Sequence, residues 1–326
     1  MKNNKVNLWP VAAFILMVLI GGLNAIAIRY TVLELPPFWS AALRFAPAAL
    51  FFFLLAVYLK LPFPRGKALS GLVLFGALNF GGSFALIYYG LTRIQPGMAQ
   101  VLLALVPLFT LFFAIAHRQE TFRWRALAGA LLAAGGIALV FQEQLRLNVP
   151  FTNMLALILA AGCFAEASVI VKSYPKSHPV ITNAVGMAVG STILFLISIL
   201  WGEKLTLPAQ ANTWMALGFL VLLGTIVIFV LYLYVLKQWS ASASSYQFVL
   251  LPFVSLSVSA WMGNESLSPA LAIGAGLVLT GVFFGAVSLS RKPRGRRMPV
   301  PAAGKMPLQA SLLEDCRGIP EPCPGS

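Results

Sequence analysis

Residues 89–139 read YGLTRIQPGMAQVLLALVPLFTLFFAIAHRQETFRWRALAGALLAAGGIAL, and residues 234–284 read YVLKQWSASASSYQFVLLPFVSLSVSAWMGNESLSPALAIGAGLVLTGVFF. A shift of 145 residues lays one on the other without a gap. Tyr89 then meets Tyr234, Leu105 meets Leu250, Pro107 meets Pro252 and Glu120 meets Glu265. Gly129 meets Gly274, Leu132 meets Leu277 and Gly136 meets Gly281. Leucine matches are cheap in an apolar chain. A coincident Pro, Glu and Gly pair is not, because only 9 of 326 residues are acidic. The chain reads as an internal duplication, roughly 11–142 and 151–289.

Composition says where such a chain lives. It is 59% hydrophobic and 10% charged, with a mean hydropathy of +0.86. Soluble domains average about 45–50% apolar and about 25% charged residues, and a soluble fold of this size cannot bury so much apolar surface. Crossing about 30 Å of hydrocarbon takes about 20 apolar residues. On that measure ten helices are expected, near 8–28, 38–59, 68–91, 96–116, 125–142, 151–172, 180–201, 213–236, 241–262 and 268–290. The first run stays apolar past the small residues Ala25-Ile26-Ala27, so it reads as a retained helix rather than a cleaved leader. The fold class expected is all-α integral membrane.

The net charge of +14 would suggest nucleic acid in a soluble protein. Here the basic residues fall between spans, so they set topology. With the N-terminus inside, Lys2, Lys5, Lys60, Arg65, Lys67, Arg118, Arg123, Arg125, Lys172, Lys176, Lys237 and the tail are cytosolic. Only Arg29, Arg93, Arg146 and Lys204 are outside. Both termini are then cytosolic. Residues 291–326 open with RKPRGRR, continue proline-rich and read as a disordered tail whose basic start meets anionic headgroups. Five helices per half send the second half into the membrane from the opposite side, giving two inverted five-helix repeats, 1–142 and 151–290. Transporters built this way hold substrate near the midplane, between the halves.

The duplicated pattern resembles the EamA-type domain of the drug/metabolite transporter superfamily. The likeness rests on an aromatic-bearing helix end, small residues opening the next helix, its internal proline, the following Glu and the later glycine pair. Arg44 also looks like the family's arginine in the second helix; the second half has none at that place. The resemblance implies a ten-helix exporter of small metabolites or drugs in a bacterial inner membrane.

Polar residues inside the spans are the site candidates, since ionisable groups in hydrocarbon are costly unless paired or wet. Glu166 lies about six residues, roughly 9 Å, from the cytosolic end of its helix, one turn after Gly162 and Cys163. It suits proton coupling or cation binding; a structural pair with a buried base, or a carboxylate snorkelling to water, is the competing reading. Arg44, ahead of Pro47, can hold a substrate carboxylate, pair at an outer gate or satisfy carbonyls freed by a kink. Asn24, Asn79, Gln100, Tyr246 and Gln247 are candidates for a central cavity. Gln100 and the Tyr246/Gln247 pair occupy nearly equivalent places in the two halves. Interhelical hydrogen bonding, about 0.6 kcal/mol each, explains them equally well. Pro107 and Pro252 are expected to bend their helices alike, as hinges or as simple packing devices. Trp9, Trp39, Trp201 and Trp214 read as interfacial anchors, and Glu120 and Glu265 as structural groups at helix ends.

No Gly-rich phosphate loop precedes a lysine, and neither Cys163, Cys316 and Cys323 nor His117 and His178 show metal-ligand spacing. No cofactor, metal or catalytic triad is expected. The reading is a secondary transporter exporting a small metabolite, amino acids among the candidates, with a proton gradient or substrate exchange as the drive. Export of drugs or other lipophilic compounds is the alternative within transport, and a non-transporting membrane scaffold that recruits partners through its tail is the alternative outside it.

Overall fold

The computed structural model describes residues 9–120, 124–146, 150–239, 244, 247–261 and 269–287. The expected tail over 291–326, Tyr246 and Glu265 lie outside them. The described chain is helical, without a strand: α1 (Trp9–Glu34), α2 (Pro37–Tyr58), α3 (Lys67–Leu91), α4 (Pro96–Ala116), α5 (Trp124–Arg146), α6 (Phe151–Ser173), α7 (Pro179–Leu200), α8 (Ala211–Gln238), α9 (Gln247–Trp261) and α10 (Pro269–Val287). Among the described residues, seven helices, α1–α4 and α6–α8, are long and apolar enough to cross a membrane. Shorter apolar stretches lie in α9 (Gln247–Val258) and α10 (Ala272–Gly281). Proline opens α2, α4, α7 and α10, where its missing N–H costs nothing and its fixed φ suits the first turn.

α1 continues past 28, where the sequence suggested an end, because its terminal charges find partners. Arg29 Nη1 donates to the Leu91 and Thr92 carbonyls at 2.5 and 2.6 Å. Glu34 Oε1 accepts from the Ala209 and Gln210 amides at the start of α8. The loop after α7 returns the exchange: Glu203 accepts from the Phe38 and Trp39 amides at 3.2 and 2.8 Å, where α2 has no side-chain cap of its own. A carboxylate at a helix N-terminus meets unpaired N–H groups and the positive end of the dipole. The indoles of Trp39 and Trp214 donate to the carbonyls of Thr206 and Pro208 in the same region.

Two details repeat at the offset read from the sequence. The helix widens into a π turn at Ala77–Gly82 in α3 and again at Leu222–Val227 in α8, positions 145 apart. The matched glycines also meet each other across the α5–α10 contact. A Cβ on Gly136 would stand 2.7 Å from the Gly274 carbonyl oxygen, and one on Gly281 would stand 2.5 Å from that of Gly129. In a membrane, helices gain little from hydrophobic exclusion, so close backbone approach at small residues supplies the packing. The matched prolines behave differently. α4 is interrupted at Ala104–Leu105, ahead of Pro107, whereas α9 runs unbroken through Pro252. At the interruption the bonds tighten to three-residue turns, Leu105 N to Leu102 O and Leu108 N to Leu105 O. Replacing Gly281 by Leu is expected to lower stability by about 1–3 kcal/mol through overpacking. The melting midpoint of detergent-purified protein reads this directly, and an unchanged midpoint would refute the close approach.

Candidate functional site

A cavity of about 80 Å³ lies among α1, α3, α4, α6, α8 and α9, and so draws walls from both halves. Its lining is mostly aliphatic and aromatic, and among the described residues that line it there is no Asp, Glu, Lys, Arg or His. Three amides interrupt the apolar surface: Asn24 from α1, Gln100 from α4 and Gln247 from α9. Gln100 Nε2 donates to the Gly21 carbonyl at 3.3 Å, while its Oε1 and the Asn24 Oδ1 have no hydrogen-bond partner among the described residues. Buried polar atoms left unpaired cost about 1–3 kcal/mol each, so these two acceptors mark where a donor-bearing ligand would be gained. The volume holds roughly six waters at one probe sphere each. A metabolite needs the walls to part.

Arg44 stands behind this wall rather than on it. It is fully buried, with its guanidinium carbon 5.0 Å from the ring centres of Phe45 and Phe84, and Phe84 lines the cavity. Its Nη2 donates to the Gly224 carbonyl at 2.6 Å, and its Nε to Thr225 Oγ1 at 2.7 Å. The Thr225 hydroxyl in turn donates to the Leu220 carbonyl at 2.7 Å. Asn24 Nδ2 reaches the same Gly224 carbonyl at 3.2 Å. Both lone pairs of one carbonyl are therefore taken by side chains from the first half, at the π turn of the second. Of the roles open to Arg44, the structure shows one: it satisfies a carbonyl, at the π turn of α8 rather than at a Pro47 kink, and α2 stays helical through Pro47. The buried Tyr88 hydroxyl lies beside the Arg44 guanidinium, as its coulombic and hydrogen-bonding neighbour.

Asn79 occupies the other π turn, at the repeat position of Gly224. It is fully buried, neither amide atom has a partner, and it does not line the cavity. Glu166 sits elsewhere. Its Oε1 contacts His117 Nε2 at 2.8 Å, with the two side chains 22% and 38% exposed, so the pair is partly wet. Next to it Gln119 Nε2 donates to Ser173 Oγ at 2.7 Å and to the Val169 carbonyl at 3.3 Å. The end of α4 is thereby fastened to α6.

Sequence reading missed the partners more than the residues. It weighed His117 only as a metal ligand and did not foresee its contact with Glu166. It passed over Thr225, Tyr88 and the buried Asn183, whose amide has no hydrogen bond, and over Asn153, whose Nδ2 ties α6 to the Tyr89 carbonyl at 2.8 Å. Asparagine within a charge-free run was the available signal for both amides.

The pattern of the EamA-like transporter family matches the chain twice, over residues 8–142 and 152–286. The chain belongs to this family. The uncharacterized inner membrane transporter YedA of Escherichia coli (strain K12) is 30% identical over 276 residues, 83% of this chain and 88% of its own length. A probable amino-acid metabolite efflux pump of the same strain is 24% identical, over 84% of this chain and 94% of its own. A crystal structure superposes with a TM-score of 0.63 at 20% identity, covering 87% of this chain and 99% of that one. That likeness concerns the fold.

The Arg44 clasp carries a test. Thr225→Val keeps the shape but leaves the guanidinium Nε without an acceptor, so a loss of about 2–3 kcal/mol is expected. Thr225→Ser should retain most of the stability. Equal melting midpoints for the two variants would show that the hydroxyl holds nothing.

Proposed function

We propose that this EamA-like transporter is a secondary-active exporter of small neutral or zwitterionic metabolites with apolar bodies, amino acids among them. The reading places it in a bacterial inner membrane with ten spans, two inverted five-helix halves and both termini cytosolic. One observation carries it: three uncharged amides face an otherwise apolar cavity walled by both halves. Such a lining suits a compound that brings hydrogen bonds without net charge. The name of the Escherichia coli efflux relative supports the same substrate class. The aromatic share of the lining, with Phe84, Phe164, Phe229 and Phe248, also keeps export of lipophilic compounds as a second reading.

In this scheme Asn24, Gln100, Gln247 and Tyr246 meet the substrate. Arg44 steadies the π turn of α8, Asn79 offers its unpaired amide at the π turn of α3 as a further polar contact, and Pro107 and Pro252 serve as hinges. Alternating access opens the cavity to each face in turn by rocking the halves. Glu166 is the coupling group, its contact with His117 fastening α4 to α6 on one side of the cavity.

Thermal shift on detergent-purified protein tests the substrate class, since a ligand that binds only the folded state raises the midpoint with concentration. Apolar amino acids should raise it in the native protein and fail to do so in a Gln100→Leu/Gln247→Leu variant. Stabilisation by amphiphilic drugs alone would favour the second reading, and shifts equal in the variant would remove the cavity from the account. Glu166→Gln is expected to cut export at least tenfold or to flatten its pH dependence. Native-like flux with an unchanged pH profile would end its role as the coupling group.

A further inference from the structure

A second cavity, about 460 Å³, lies where α6 passes into α7 and the end of α8 approaches the start of α3. Its lining sorts into two kinds of surface. Lys172, Lys176, Lys237 and His178 are on it, and no Asp or Glu is. Leu72, Val171, Leu233 and Leu236 supply the apolar part.

Two of these groups are held by hydrogen bonds, Lys172 and His178. Lys172 Nζ donates to the carbonyl of Trp239, which also lines the cavity, at 3.0 Å. Lys176 and Glu120 are the charged groups within its electrostatic reach. His178 Nδ1 accepts from the Val180 amide, so its Nε2 carries the ring proton and is left to donate. α7, 22 residues long, begins on this wall and adds the positive end of its dipole. The inside bias of basic residues explains why lysines stand on this face. It does not explain why three of them and His178 gather on one cavity that Leu72, Val171, Leu233 and Leu236 also line.

We infer that this cavity binds the phosphate of an amphiphilic anion, with oxygens among Lys172, Lys176, Lys237 and His178 and an apolar stem along Leu233 and Leu236. No arginine is present to match a carboxylate with two parallel bonds. Separate ammonium groups act as point charges and suit a phosphate, whose oxygens point several ways. Basic pockets between membrane helices take lipid headgroups by the same chemistry. The anion is an anionic phospholipid of the adjoining leaflet or a soluble phosphate ester. The site shares no lining residue with the central cavity and is therefore spatially separate from it.

Native mass spectrometry of the full chain in detergent, with equal phosphatidylglycerol and phosphatidylcholine, tests the lipid. A melting series with glycerol 3-phosphate tests the soluble ester. Lys176→Gln/Lys237→Gln removes two exposed amines that make no hydrogen bond needed for folding, and its unliganded midpoint verifies the fold. Lys60→Gln/Arg65→Gln removes equal charge from the same face outside the cavity, and Lys176→Arg/Lys237→Arg keeps the charge. The native chain, the remote variant and the arginine variant should each retain phosphatidylglycerol at least fivefold over phosphatidylcholine, with the glutamine variant below twofold. A glycerol 3-phosphate shift lost only in the glutamine variant, without lipid preference, would identify the soluble ester. If neither probe separates the native chain from the glutamine variant, or the remote variant loses as much, the proposal is overturned.

Discussion

Hydrocarbon offers no water to a backbone carbonyl, and a widened helical turn cannot stand there unless protein groups replace it. At the π turn of α8, Arg44 and Asn24 do this for Gly224, and Arg44 also holds Thr225. An unpaired polar group in the bilayer core costs several kcal/mol, so the turn and its clasp exist together or not at all. The partners come from different halves of the chain. One interaction therefore supports a local distortion, joins the repeats and sets the wall behind Phe84. A Cβ at 224 would stand against the Asn24 amide, so a side chain there would push Asn24 out of the clasp.

The same division of labour extends along the bundle. Close packing without side chains joins α5 to α10, where Gly129, Gly136, Gly274 and Gly281 let the backbones touch. At the helix ends, Glu34 and Glu203 each satisfy amides that begin a helix of the other half. Near the end of α4, His117 and Gln119 bind α6 through side chains that remain partly exposed. The central contacts are buried and hydrogen-bonded, while those at the ends are wetter and easier to break. A transporter that opens to each side in turn needs such a gradient, because the pieces that part must separate at less cost than the pieces that rock together.

Much of this was written in the chain at one residue's resolution. Pro107 with Pro252, and Gly136 with Gly281, announced the duplication, and the two π turns fall on its offset of 145. The amides Asn24, Gln100 and Gln247 were legible because an amide inside a charge-free run has no bland surface explanation. The turns themselves were not, since one extra residue in a uniformly apolar helix leaves hydropathy unchanged. The partners of Arg44, Glu203 and Glu166 were hidden for a different reason: they lie 181, 165 and 49 residues away, and no local pattern records which helices touch. Pro107 and Pro252 look alike in sequence, but α4 is interrupted next to one and α9 accommodates the other, a difference made by neighbours.

The most direct test of the central claim is flux through reconstituted protein. Ala99 is fully buried and lines the central cavity, so Ala99→Phe fills the proposed path while leaving Arg44, the π turns and the glycine contacts in place. In proteoliposomes loaded with labelled neutral amino acids, the native chain should give saturable efflux, and Ala99→Phe should reduce it tenfold or more. Equal efflux from the two proteins would contradict the account.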